Sequence, residues 1–129
     1  MIQANELRIG NWVSLKCLVY YVGDDHSPHK INIHNLVSLS ENDKEWEFLP
    51  ILLTPEILEK CGFKTNKLKN LFKRVSKKTE GMKSEVHLHD YYEEKKYYYL
   101  LGSNIIITHL HQLQNLYFAL TNEELIIEL

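Results

Sequence analysis

Seven histidines among 129 residues make metal ligation the first chemistry to consider. His87 and His89, in VHLHD, stand two apart in a stretch that alternates like a strand, so both imidazoles point to one face, with Asp90 adjacent. Zinc needs three or four nitrogen, sulfur or carboxylate donors converging on a tetrahedron, and neither Cys17 nor Cys61 is near this pair in sequence. His109 and His111 are also two apart, but on a helix they point about 200° away from each other and do not share an ion. The expected metal set is therefore none, with a metal-dependent enzyme on His87 and His89 as the third reading of function.

The other catalytic constellations are missing. The chain has no G-x-S-x-G, no H-E-x-x-H and no Gly-rich phosphate loop. Five glycines leave few places where backbone would wrap a cofactor phosphate, so no cofactor is expected. The carboxylate pairs Asp24-Asp25, Glu93-Glu94 and Glu123-Glu124 lie in turn-like segments, where adjacent acids are solvated. The sequence leans away from an enzyme.

The charge is unevenly placed. Residues 64–83 hold eight lysines and arginines against Glu80 alone, a local +7 that leaves −9 elsewhere in a chain of net −2. Lys73, Arg74, Lys77 and Lys78, interleaved with Phe72 and followed by Tyr91-Tyr92 and Tyr97-Tyr98-Tyr99, have the ingredients of a nucleic-acid surface. In such a surface lysines neutralise phosphates and rings stack on bases. Against this stand the remaining negative charge and the packing of a strand. Tyr97 and Tyr99 share one face while Tyr98 faces the other, so at least one side is core.

The elements that must position these groups follow from pattern. The segment 7–15 alternates around a turn at Gly10-Asn11, and 17–22 is a β-branched and aromatic run. After the loop-forming GDDHSP at 23–28, KINIHNLVSLS at 30–40 alternates as a strand, with Asn35 breaking the pattern. Pro50 marks 46–53 as an edge or bulged strand. Thr54 as N-cap, Pro55 at the first helical position, the stripe Ile57, Leu58, Cys61 and the terminator Gly62-Phe63 make 55–61 a capped helix. Strands are expected over 68–76, 84–92, 95–102 and 104–108, with 124–129 closing the sheet. THLHQLQNLYFALTNEEL contains the last helix, capped by Thr108, with Leu110, Leu113, Leu116, Tyr117 and Leu120 on the core stripe and Asn122 as its left-handed end. His111, Asn115 and Phe118 line an adjoining strip, with Gln114 between it and the core. This strip is expected either to lie under a neighbouring strand or to meet a partner. The fold class is α+β: a small antiparallel, partly barrel-like sheet with two short helices packed on it. Residues 1–129 are expected to form a single domain, with a strand-rich half over 1–53, the helix at 55–61, and antiparallel strands plus a helix over 64–129.

The opening QANELRIGNWV and the ending HQLQNLYFALTNEEL resemble a family of small uncharacterised proteins of Bacteroidota, their prophages and their bacteriophages. The family's central Pro-Ile-x-Leu-Thr stretch before a helix ending in Gly-Phe corresponds here to Pro50-Ile51-Leu52-Leu53-Thr54 and Gly62-Phe63. Its tail has glycine where this chain has Asn122, and 64–99 matches poorly. The resemblance implies a bacterial or phage setting and carries no catalytic residue.

The expected function is therefore that of a non-enzymatic accessory protein of phage or mobile-element type acting by protein–protein contacts, a second copy of the chain included. Nucleic-acid binding by 64–83 is the alternative. No apolar run approaches the roughly 18 residues of a membrane span. The opening lacks a basic leader and an apolar stretch, so the cytoplasm, with Cys17 and Cys61 reduced, is the expected compartment.

Overall fold

The computed structural model describes residues 2, 4–17, 27–41, 46–68, 70–75, 85–90 and 97–129. The architecture is α+β, and the chain divides into two compact units, Met1–Ile51 and Leu52–Leu129.

The first unit carries an antiparallel sheet of β1 (Trp12–Cys17), β2 (Ser27–Lys30) and β3 (Trp46–Leu49) in the order β2-β1-β3, with helix α1 (Ile33–Ser40). Gly10, at φ +93°, forms the turn into β1, and Asn11 behind it is buried. Pro28 lies in edge strand β2, where its missing N–H costs no central ladder bond, and Pro50 follows edge strand β3. Ile2, Leu7, Val13, Ile31 and Phe48 form the core, with Leu15, Leu36 and Leu39 packed against it.

Of the strand expected over 30–40, residues 33–40 form a helix, so the described residues hold three α-helices where two were expected. The reason is local chemistry. Asn32 Oδ1 accepts from the backbone N–H of Asn35 at 3.0 Å, and Asn35 Oδ1 accepts from that of Asn32 at 2.9 Å. This reciprocal cap satisfies two donors that a helix start leaves open. Leu36 and Leu39, three apart, then turn to the core, while Ile33 and Val37 remain exposed. Asn35, which interrupts the strand pattern, is a cap residue. The run expected over 17–22 lies, beyond Cys17, outside the described residues.

The second unit is a five-stranded antiparallel meander: β4 (Lys64–Thr65), β5 (Leu71–Val75), β6 (Glu85–Asp90), β7 (Tyr98–Leu100) and β8 (Ile106–Ile107), paired in chain order. The described strands form two open sheets and no closed barrel. Helices α2 (Pro55–Lys60) and α3 (Leu110–Thr121) complete the unit. Phe72, Val86, Leu88, Tyr98 and Ile107 give the sheet one buried face, where Phe72 and Tyr98 meet edge to face at 5.7 Å. The 124–129 segment forms no strand, although its alternation is real: Leu125 and Ile127 are buried and Ile126 is exposed.

Helix α2 is built as its residues require. Thr54 Oγ1 accepts from the N–H of Ile57, Gly62 takes φ +89°, and Phe63 N–H returns to the Leu58 carbonyl at 3.1 Å. Cys61, at its end, is a buried free thiol pushed up to about 12 by burial, which the nearby Arg74 charge offsets only in part. In a Cys17→Ser background, Cys61 is expected to resist a thiol reagent at pH 8 until the unit is unfolded. A raised thiol pKa favours the folded state fully below about pH 9, and this contribution is lost as pH climbs toward 12. An alkaline fall in stability over that window, absent from Cys61→Ala, is the check.

Helix α3 starts one residue later than expected. The Leu53 N–H donates to the Thr108 carbonyl at 2.9 Å and Leu52 bridges His109, so 108–109 stay extended and His109 is the N-cap. Gln112 Oε1 accepts from the N–H of Thr108 at 3.0 Å and that of His109 at 3.2 Å. At the other end Asn122 is left-handed at φ 55°, as expected. Asn122→Gly should raise stability by about 0.5 kcal/mol and Asn122→Val lower it by about 1 kcal/mol, read from urea midpoints.

Candidate contact surface on the five-stranded sheet

Strand alternation sorts the second unit's polar residues between two faces. On β5, Phe72 and Arg74 point to the buried side, while Leu71 and Lys73 are exposed. On β6, Val86, Leu88 and Asp90 are buried, while His87 and His89 are half-buried on the other face beside exposed Glu85. The two histidines share a face, as their spacing requires.

Their surroundings are hydrogen-bonding, not ligating. The His87 Nε2–H donates to Glu85 Oε2 at 3.0 Å, and Lys73 Nζ lies 3.3 Å from Glu85 Oε1. Those two interactions, the His87 hydrogen bond first, hold the Glu85 carboxyl below its ordinary value. The His89 Nδ1–H donates to the Asp90 carbonyl at 2.9 Å, and the ring lies 5.1 Å from that of Tyr99, tilted by 37°. Among the described residues, no three His, Cys, Asp or Glu side chains come together as a metal site. His109 and His111 do approach, with stacked rings 5.9 Å apart, because His109 has the extended backbone of an N-cap.

Cross-strand register assembles two rows on this exposed face. Leu71 is opposite His89, His89 opposite Tyr99, and Tyr99 opposite Ile106. Leu71 and Ile106, at its two ends, are 41% and 49% exposed. Beside this row, Lys64 is opposite Lys73 and Lys73 opposite His87.

The basic residues singled out by sequence separate accordingly. Lys73 belongs to the exposed face. Arg74 turns inward: its Nε–H donates to Tyr117 Oη at 3.1 Å and its Nη1–H to the Cys61 carbonyl at 2.8 Å. Its guanidinium also lies 5.4 Å from the Tyr117 ring centre. Lys77 and Lys78 lie outside the described residues, as do Tyr91, Tyr92, Glu93 and Glu94. Tyr98 is buried and Tyr97 exposed, as alternation requires. The Tyr98 phenol is pushed up by burial and then by the Asp90 carboxylate, which keeps it protonated.

The residues assigned by sequence to partner contact are also divided. His111 and Gln114 are buried, while Asn115 and Phe118 are half-buried. An open cleft of about 370 Å³ lies where Glu85 and His87 meet Leu100, Leu101, Leu120 and Thr121. Its hydroxyl donates within the helix, from Thr121 Oγ1 to the Tyr117 carbonyl at 2.7 Å, so it is not poised against the imidazole.

Sequence reading missed Lys64, Leu71 and Ile106 as surface partners of the histidines and Tyr99. Only strand register brings them together, and nothing in the local composition encodes that register. Comparison with protein-family models, with curated proteins and with solved structures finds no match to this chain.

Proposed function

We propose that this chain is a non-enzymatic binding protein of accessory type, and that its working surface is the exposed face of the β4–β8 sheet. The observation that carries this reading is the Leu71–His89–Tyr99–Ile106 row, an apolar and aromatic band across four strands with exposed ends. Aromatic side chains offer large contact area at low entropic cost, and contiguous exposed apolar groups mark interaction surfaces. The contact surface thus moves from helix α3, whose His111 and Gln114 are buried, to the sheet. The polar groups on the face are engaged with one another, which favours recognition over proton transfer.

The likeness of both chain ends to proteins of Bacteroidota and their phages supports a role in a bacterial cytoplasm, in the setting of a phage or mobile element. No helix among the described residues is long and apolar enough to cross a membrane.

The test is a Leu71→Glu/Ile106→Glu double variant. Both positions are exposed, so the fold should survive, as far-UV circular dichroism would show. Wild-type protein is expected to retain a ligand, protein or nucleic acid, from bacterial lysate, and the variant to lose that association. Identical behaviour of the two proteins would place the working surface elsewhere.

A further inference from the structure

Resting on that reading of the sheet face, we propose that its ligand is single-stranded nucleic acid, with phosphates along Lys64, Lys73 and His87 and bases on the His89–Tyr99 pair. Two observations on one face converge. The first is electrostatic. Lys64 and Lys73 stand directly opposite each other on adjacent strands, both exposed. Like charges in that position destabilise a ladder, and a phosphate between them converts the repulsion into attraction. The next cross-strand neighbour, His87, adds an imidazole donor.

The second is the ring pair. His89 and Tyr99 lie 5.1 Å apart on the same face, with Leu71 and Ile106 at either end of their row. The two rows are two residues apart along the strands, about 7 Å, a distance that a nucleotide covers from phosphate to base. The apolar row crosses four strands, about 14 Å from end to end, which accommodates a short run of bases. The segment that carries the cationic row is basic as a whole, +7 over 64–83 against −9 elsewhere, although its Arg74 turns inward and takes no part in the face.

Glu85 defines one limit of this site. Its carboxylate sits between Lys73 and His87, within 3.3 Å and 3.0 Å of them. A phosphate reaching Lys73 replaces this exposed ion pair, which is weak in water. A duplex offers phosphates but hides its base faces, so it would leave the ring pair unused. An acidic peptide would match the lysines and likewise leave the rings without a stacking partner. The single strand is the polyanion that uses both rows.

The experiment is fluorescence anisotropy with short labelled mixed-sequence single-stranded DNA and RNA, and with the matching duplex, over a salt series. Single strands are expected to bind more tightly than the duplex. Lys64→Ala/Lys73→Ala should flatten the log–log salt dependence by about 1.4, the loss of two phosphate contacts on a single strand. Tyr99→Ala should weaken binding roughly tenfold and Tyr99→Phe should restore it. Circular dichroism checks that each variant is folded.

Absence of binding by any oligonucleotide at low salt overturns the assignment. In that case, capture of a protein that Leu71→Glu/Ile106→Glu abolishes keeps the surface and makes the partner a protein. Oligonucleotide binding unaffected by the lysine, Tyr99 and Leu71/Ile106 variants overturns both the ligand assignment and the surface.

Discussion

Arg74→Ala is expected to destabilise the Leu52–Leu129 unit by about 3 kcal/mol, a large fraction of what a small domain has in reserve. Arg74 sits on β5 and reaches the carbonyl that closes α2 and the phenol of Tyr117 in α3, so one side chain ties three elements. Each hydrogen bond from a charged donor contributes about 1.5–3 kcal/mol when its partner would otherwise be left unsatisfied. The cationic group also lies over the Tyr117 ring and beside the negative end of the α2 dipole. Lysine cannot reproduce the fork that serves two acceptors and stacks, so Arg74→Lys should recover less than half of the loss. Gly62→Ala should act on the same contact. Its φ of +89° is strained for alanine, and the added Cβ collides with Arg74 Nη1. A denaturation cycle of Gly62→Ala, Arg74→Ala and the double variant should therefore be markedly non-additive. The same variant separates two roles for this residue. An inward arginine costs stability and leaves the salt dependence of oligonucleotide binding unchanged, whereas a phosphate contact would do the reverse.

Leu113→Ala should cost about 3 kcal/mol, while Leu120→Ala, on the same predicted stripe of the same helix, should cost under about 0.5 kcal/mol. Leu113 has no exposed surface, so truncation removes buried contacts and leaves a cavity. Leu120 is 47% exposed and already faces solvent for half its area. The buried side chains of α3 are Leu110, His111, Leu113, Gln114 and Tyr117. Taking 100° per residue, that arc is turned toward the amide and imidazole side by roughly 70° from the stripe of highest hydrophobicity. Urea unfolding of the two variants measures the rotation directly. Equal losses would restore the stripe read from sequence.

Where local chemistry is decisive, the sequence was legible. Thr54-Pro55 and Gly62-Phe63 announce both ends of α2 because capping and left-handed termination depend on a few adjacent residues. Asn122 is legible for the same reason. The misreading of α1 shows how narrow that margin is. Ile31, Ile33, Val37 and Leu39 satisfy a strand's period, and only the Asn32–Asn35 cap with Leu36 and Leu39 on the core side selects the helix. The start of α3 was displaced because the partner that keeps Thr108 extended, Leu53, lies more than fifty residues away.

By itself, the amino-acid order determined the α+β class, the capped helix after Thr54, the shared face of His87 and His89, and the opposite facing of Tyr98 to its two tyrosine neighbours. Each of these follows from backbone sterics, capping or alternation within a few residues. Tertiary structure alone decided that Arg74 faces inward and Lys73 outward against their neighbours. It also decided that His111 and Gln114 are buried, and that Lys64, Lys73 and His87 form a row beside Leu71, His89, Tyr99 and Ile106. The physical reason is that alternation assigns a side chain to one face of its own strand. Which residues share a row depends on register between strands, a property of pairs far apart in the chain.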